Sequence, residues 1–385
     1  MAANLPLKVT QTREETSFHF AAAASLRRTA LESATLEVER EDDRALKHMA
    51  VGVRALIQMK TRPFSIRYPD GVHSVWTGEG FTQLSSGSET GTFTLSVANF
   101  EFGNSKSVFS LDNVDAARFR AEVESVLVSR CHLGPRTVEI DGVEVASLLY
   151  DPHFGVTRRS RPLTFLRAPE QPGLPSFFVA NPQEFRGRKL GSHFIDIAEE
   201  DEKRIGPATT CSVAAIVSVF VEKKELRKNT HYFTPRCRRS EVIWVDDGVV
   251  VNREPLRLEA GAGLAVIVSS EGLETDLSGL QPRESGHKKR RKELACEAIL
   301  PQLRQFTKGL GPGGVSVDYE YWRAVVKGVL GGALTFVIPS LGLPMLTSAV
   351  YECSSARRHS KELDKAFDQG LKDLVFKFDQ LVSHK

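Results

Sequence analysis

The chain has 385 residues, of which 41% are hydrophobic and 26% charged, with a formal net charge of +3. That length can bury two cores, the ordinary composition excludes global disorder, and the near balance of charge excludes a large field directed at a polyanion. The five cysteines, Cys131, Cys211, Cys237, Cys296 and Cys353, show no paired short spacing, and Met1 to Ser17 contains no apolar core of signal-peptide length. Both features lead to the expectation of a reducing, cytoplasmic setting.

In chain order, Phe18 and Phe20 before the run Ala21 to Ala24 predict a strand, then a helix through Leu26 and Leu31. Leu46, Met49, Val53, Leu56 and Ile57 recur at three- and four-residue steps, which predicts an amphipathic helix from Ala45. Asp42 and Asp43 stand where acidic side chains favour its N-terminus. Gly52 weakens that helix and is expected to mark a close approach to another backbone. After Pro63 the period falls to two. Phe64, Ile66 and Tyr68 alternate with polar residues, Pro69-Asp70-Gly71 supplies a turn, and Val72 to Trp76 returns as the partner strand. Phe93, Leu95 and Val97 share one face of a further strand between Gly91 and Phe102.

Asp115 to Ser129 reads as a second amphipathic helix with Phe119, Val123, Val126 and Leu127 on its apolar face, capped by Asp112 or Asp115. Asp141-Gly142 is a hairpin signal within Thr137 to Val145. Tyr150 to Gly191, rich in Pro, Arg and Phe, predicts extended segments with strands near Leu163 to Leu166 and Ser176 to Val179. Cys211 to Val221 is almost wholly apolar and reads as a central strand buried on both faces. Glu241 to Asn252, turning at Asp246-Asp247-Gly248, is a second hairpin, and Leu264 to Ser269 another buried strand. The helix from Lys292 to Phe306 is expected to kink or end at Pro301.

Gly309 to Gly314 reads as a linker. Beyond it, Gly328 to Tyr351 carries no charge over 24 positions, about 36 Å if helical throughout at ~1.5 Å per residue. Pro339 to Pro344 has the chemistry of a turn, which would divide this segment into a helical hairpin packed on the body or on a partner. Basic residues at Arg323, Lys327, Arg357 and Arg358 keep a membrane-inserting reading open. Leu330, Phe336, Val337, Ile338, Leu341, Leu343, Met345 and Leu346 are its candidate docking or membrane residues. Leu363, Phe367, Leu371, Leu374, Phe378 and Leu381 then mark a final amphipathic helix.

Taken together, these elements predict an α+β protein in three parts. Residues 1–130 would form a helix with an antiparallel sheet, 131–308 a second α/β unit, and 315–385 a helical tail.

Candidate chemistry is sparse. The basic run His287 to Lys292 offers Lys288, Lys289, Arg290, Arg291 and Lys292 as an interaction site, set against a solvated loop before the helix. No aromatic platform is interleaved with it, so nucleic acid is not the expected partner. Cys131-His132 and His231 to Cys237 fall short of a nucleophile–base pair or a four-ligand zinc set, and read as structural. Gly261-Ala262-Gly263 precedes a strand where a phosphate loop would follow one, and no lysine follows Gly309 to Gly314 as a P-loop needs. Thr275 and Ser278 read as helix caps, and Asp246 and Asp276 would need to converge with the cysteines and histidines to make an enzyme.

The stretch Ala45 to Leu56, followed by strands ending in Gly91-Thr92-Phe93-Thr94-Leu95, resembles the later half of a GHKL-type ATPase domain, the fold of heat-shock chaperone, gyrase and mismatch-repair ATPases. Cys131 to Pro135, leading to Val138 to Gly142, is similar to the connection into the transducer-like domain of that family. The resemblance covers roughly residues 45 to 280. The family's helical Glu with its nearby Asn, and its Asp-x-Gly-x-Gly turn, do not stand upstream of Ala45, and Asp112-Asn113 follows the GT strand. The resemblance therefore implies a shortened, pseudo-ATPase body with no functional residue carried over and no cofactor. What remains is a scaffold with a protein partner, with two alternatives: a membrane-anchored protein, or an ATP-dependent protein whose nucleotide motifs come from another chain.

Overall fold

In a computed structural model, residues 6–21, 31–32, 44–59, 62–86, 91–101, 112–134, 138–144, 153–154, 160–182, 205–227, 230–246, 248–276, 281–310, 329–330 and 339–383 are described. The architecture is α+β. Eight strands form the first sheet: β1 (Leu7–Gln11), β2 (Glu15–Ala21), β3 (Phe64–Arg67), β4 (Val72–Trp76), β5 (Phe81–Ser86), β6 (Thr92–Ala98), β7 (Val138–Ile140) and β8 (Val143–Glu144). Their order is β5-β4-β3-β6-β2-β1-β7-β8. Neighbours are antiparallel except β1 and β7, which run parallel.

Period-two alternation decides which face is covered. Leu7, Val9, Phe20, Phe64, Ile66, Phe93 and Val97 are buried beneath α1 (Arg44–Met59) and α2 (Asp112–Cys131). The opposite face is polar: His19 bonds Thr10 at 3.0 Å and Thr94 at 3.1 Å, and Ser17 bonds Ser96 at 2.7 Å. An antiparallel sheet with one solvated face accounts for this split. The turn between β3 and β4 needs Gly71 at φ 86°, and that between β7 and β8 needs Asp141 and Gly142 at φ 51° and 83°.

Two helix readings change. Gly52 is exposed with nothing within 4 Å of where a Cβ would stand, so it marks no close backbone approach. Gly52→Ala is therefore expected to raise stability by about 0.5–1 kcal/mol in chemical denaturation, because alanine loses less backbone entropy in a helix. On α2 the inward stripe is Ala116, Phe119, Val123, Leu127 and Cys131, while Val126 is exposed. Val126, three residues beyond Val123, fits the spacing as sequence, but the packed stripe runs in four-residue steps through Phe119, Val123, Leu127 and Cys131 and leaves Val126 on its solvent side.

The second sheet is covered on both faces. It comprises β9 (Ser160–Ala168), β12 (Val213–Arg227), β13 (Thr230–Pro235), β14 (Arg238–Asp246), β15 (Val249–Ala260) and β16 (Ala262–Ser269). The order is β13-β12-β16-β14-β15, with β9 also pairing β12; a ribbon of β10 (Phe177–Pro182) and β11 (Ile205–Cys211) leads into it. Val213, Ala215, Val217 and Val219 face α3 (Gly286–Leu310) and α4 (Pro339–Ser383). Ala214, Ile216 and Phe220 face the other way, among Leu133, Phe154, Phe177, Ile243 and Ile267. That is why Cys211 to Phe220 is an almost wholly apolar run, broken only by Ser212 and Ser218.

Prolines interrupt less than the sequence suggests. Pro301 lies within α3, exposed, and the helix continues to Leu310. Burial of Ile299, Leu300, Leu303 and Phe306 around it offsets the lost backbone bond. The expected turn at Pro339 to Pro344 is instead the start of α4. Pro339 occupies the first helical position, where its missing N–H has no intrahelical partner to lose. The linker and hairpin readings fall mostly on residues 311–328 and 331–338, outside the described residues.

Candidate functional site

The basic run His287 to Lys292 forms the opening turns of α3. Ser285 caps them, its Oγ accepting from the Lys288 N–H at 3.2 Å. Thr275 and Asp276 lie earlier, in a turn closed by the bridge between Thr275 and Pro282, with the Asp276 N–H donating to the Gln281 carbonyl at 2.8 Å. Ser278 is outside the described residues.

One turn into the helix, Lys288 is only 2% exposed. Its ammonium pairs with Glu254 of β15 and with Glu284 at 2.6 Å, donates to the Pro282 carbonyl at 3.3 Å, and lies 5.5 Å from the centre of the Trp244 ring. Desolvation works to lower its pKa, yet the hydrogen bonds and charges of Glu254 and Glu284 outweigh it and hold Lys288 above the ordinary lysine value.

The neighbouring cations divide between structure and solvent. Arg291 donates to the carbonyls of Ser269 at 3.1 Å and Glu271 at 2.6 Å, closing the end of β16; burial lowers its pKa from the ordinary arginine value while Glu271 opposes. Lys292 reaches Glu254 at 3.3 Å, and Arg290 reaches Glu293 at 3.4 Å. Lys289 is exposed and makes no ion pair among the described residues.

A cavity of about 330 Å³ opens beside this cluster, lined by Pro255, Leu256, Arg257, Lys289, Lys292, Glu293, Cys296, Leu381 and Val382. β15, α3 and the end of α4 form its walls. Five of its lining residues are uncharged and largely apolar, and the charged ones are three cations against one carboxylate.

The final amphipathic stripe docks over most of its predicted length, Leu381 at its end remaining exposed. Leu363, Phe367, Leu371, Leu374 and Phe378 are buried on the second sheet, Arg304 pairs with Asp379, and Lys377 donates to the Glu259 carbonyl. Backbones meet where Gly370 of α4 crosses Gly261, between β15 and β16: a Cβ on Gly370 would stand 2.7 Å from the Gly261 Cα. Gly263 leaves room for the paired rings of Phe154 and Phe220, whose edges a Cβ would meet at 3.0 and 2.8 Å. Gly261-Ala262-Gly263 is thus a packing element.

The first part of α4 behaves otherwise. Met345 and Leu346 are half-buried, whereas Val350 and Tyr351 are 66% and 74% exposed. Leu330 is also exposed. Phe336, Val337 and Ile338 lie outside the described residues, as do the side chains of Leu341 and Leu343. Among the described residues no helix is long and apolar enough to cross a membrane.

The remaining candidates do not gather. Burial pushes the Cys131 thiol up to about 11 and the Cys211 thiol up to about 12, away from the thiolate a nucleophile needs. His132 is buried with its ring bonded to the Val128 carbonyl at 3.1 Å. Cys237 is exposed, the side chain of His231 lies outside the described residues, and among the described residues no three metal-ligating side chains cluster. The cavity was not legible in sequence, since it joins β15, α3 and α4; the pairing of Lys289 with an apolar neighbour two turns on, Cys296, was its only local trace.

No protein-family model matches the chain, and no curated protein does. Among solved structures, the chain aligns with the 43K ATPase domain of Thermus thermophilus gyrase B in complex with an aminocoumarin. The alignment covers 93% of this chain and 86% of that one, at 8% identity and a TM-score of 0.31. The likeness is a weak one of overall fold.

Proposed function

We propose that the chain is a non-catalytic interaction scaffold, a GHKL-like and transducer-like body that presents the first half of α4 to a protein partner. One observation carries this reading. α4 has 45 residues, and its C-terminal part is anchored by five buried side chains, while Val350 and Tyr351 stand exposed in a segment without charge. Leu346 and Val350, one helical turn apart, form the narrow apolar edge that a helix-in-groove contact uses. Exposed Thr347 and Ser348 between them suit a protein groove better than a lipid interior.

The test places a photo-crosslinking residue at Tyr351 in the full chain, with and without Val350→Asp. The expected result is a discrete cross-linked protein product that Val350→Asp abolishes, with the melting temperature unchanged within about 2 °C because the site is exposed. An alkaline wash should leave the protein out of the membrane pellet. Retention of the wild-type chain but not Val350→Asp in that pellet would transfer the surface to lipid. Micromolar ATP binding by the isolated chain would remove the non-catalytic part of the reading.

A further inference from the structure

We infer that the cavity between β15, α3 and α4 is a binding site for a small amphiphilic anion, a carboxylate bearing an unbranched acyl chain of medium length. The inference is independent of the exposed half of α4, because none of the residues lining the cavity belongs to that half.

Volume sets the size of the occupant. About 330 Å³ lies at the lower end of small-ligand pockets. That space takes a chain of around eight to ten carbons. Polarity sets its character. Pro255, Leu256, Cys296, Leu381 and Val382 offer no charge to the interior, and Leu381, 36% exposed, leaves an apolar lip open to solvent.

Charge complementarity sets the head group. Arg257, Lys289 and Lys292 line the cavity, opposed by Glu293 alone. Lys292 is already engaged with Glu254, and Arg290 with Glu293, so of the three cations lining the cavity Arg257 and Lys289 make no ion pair among the described residues. An arginine fork beside an ammonium suits a carboxylate, which accepts two charge-assisted hydrogen bonds at once. Lys289 also belongs to the opening turns of α3, where the helix dipole favours a negative charge. An acidic peptide would satisfy the cations, but a cavity of this size walled by three elements holds little more than one side chain of it.

The experiment is calorimetric titration of the full-length chain with sodium hexanoate, octanoate and decanoate, with decanol as the uncharged control. Each added methylene is expected to tighten binding about four-fold until the cavity is filled. Decanol should bind at least ten-fold more weakly than decanoate. The double variant Arg257→Ala/Lys289→Ala, whose side chains are exposed, should keep the wild-type melting temperature and lose at least ten-fold in decanoate affinity. Leu381→Asp should abolish binding by placing a like charge at the lip. Absence of binding for every chain length would overturn the assignment, as would an affinity indifferent to chain length or to the two cations. Binding of a Leu-bearing Asp/Glu-rich peptide without any response to decanoate would overturn it in favour of a peptide groove.

Discussion

Gly370→Val is expected to destabilise the protein by at least about 3 kcal/mol, lowering the melting temperature by roughly 6–12 °C. The cause is backbone against backbone. A Cβ on Gly370 would stand 2.7 Å from the Gly261 Cα and 2.9 Å from its carbonyl carbon, and neither atom can rotate away as a side chain could. Relief requires α4 to lift from the second sheet. That movement loosens Leu363, Phe367, Leu371, Leu374 and Phe378, each contributing about 1.5–3 kcal/mol when fully buried. The mirror change, Gly261→Ala, meets the Gly370 Cα at 2.9 Å and should cost stability in the same direction. Thermal and urea denaturation of both variants beside Gly52→Ala separates this steric effect from a general glycine effect, because Gly52 should shift the opposite way. An unchanged melting temperature for Gly370→Val would mean that α4 does not cross the sheet at this point.

Lys288→Met is expected to cost about 3 kcal/mol, since it removes the buried partner of Glu254 and leaves that carboxylate with Lys292 alone. Methionine keeps most of the volume, so the loss reports charge and hydrogen bonding rather than a cavity. The double variant Lys288→Met/Glu254→Leu should recover at least about 1 kcal/mol of that loss in a double-mutant cycle. pH offers a second reading of the same contact. Because the folded-state pKa of Lys288 lies above its ordinary value of 10.5, its contribution is complete below that value and is lost as the pH rises through the higher one. The stability gap between wild type and Lys288→Met should therefore stay flat from about pH 7 to pH 9 and narrow only in strong alkali. A gap that closed near neutrality would place the stabilisation on some other group.

The two glycines and the lysine also show where local reading stops. Gly52 attracted attention because a glycine inside a helical pattern weakens it, yet it faces open space. Gly370 looked like any other position in the last amphipathic segment, although α4 could not dock without it. The difference lies in which residue another element approaches, and a chain position carries no record of that. Lys288 belongs to a run of six basic residues that reads uniformly as a charged surface. Its burial follows from two carboxylates, one of them 34 positions upstream on β15. Pro301 and Pro344 mislead in the same way: a missing N–H is locally costly, and only packing elsewhere can offset it.

What the sequence determined by itself was the kind and face of each strongly periodic element. Alternation in Phe64 to Tyr68 and Gly91 to Ala98 fixes strands with one apolar face, the almost wholly apolar run from Cys211 fixes a strand covered twice, and the spacing from Leu363 to Phe378 fixes the docked face of α4. These are properties of neighbours along the chain, set by backbone geometry with periods of two and about 3.6 residues. Tertiary structure alone decided the order of the strands, the contact of Gly261 with Gly370, the burial of Lys288 and the cavity at Arg257 and Lys289. Each of those joins residues far apart in sequence, where distance and desolvation, rather than periodicity, determine the energy.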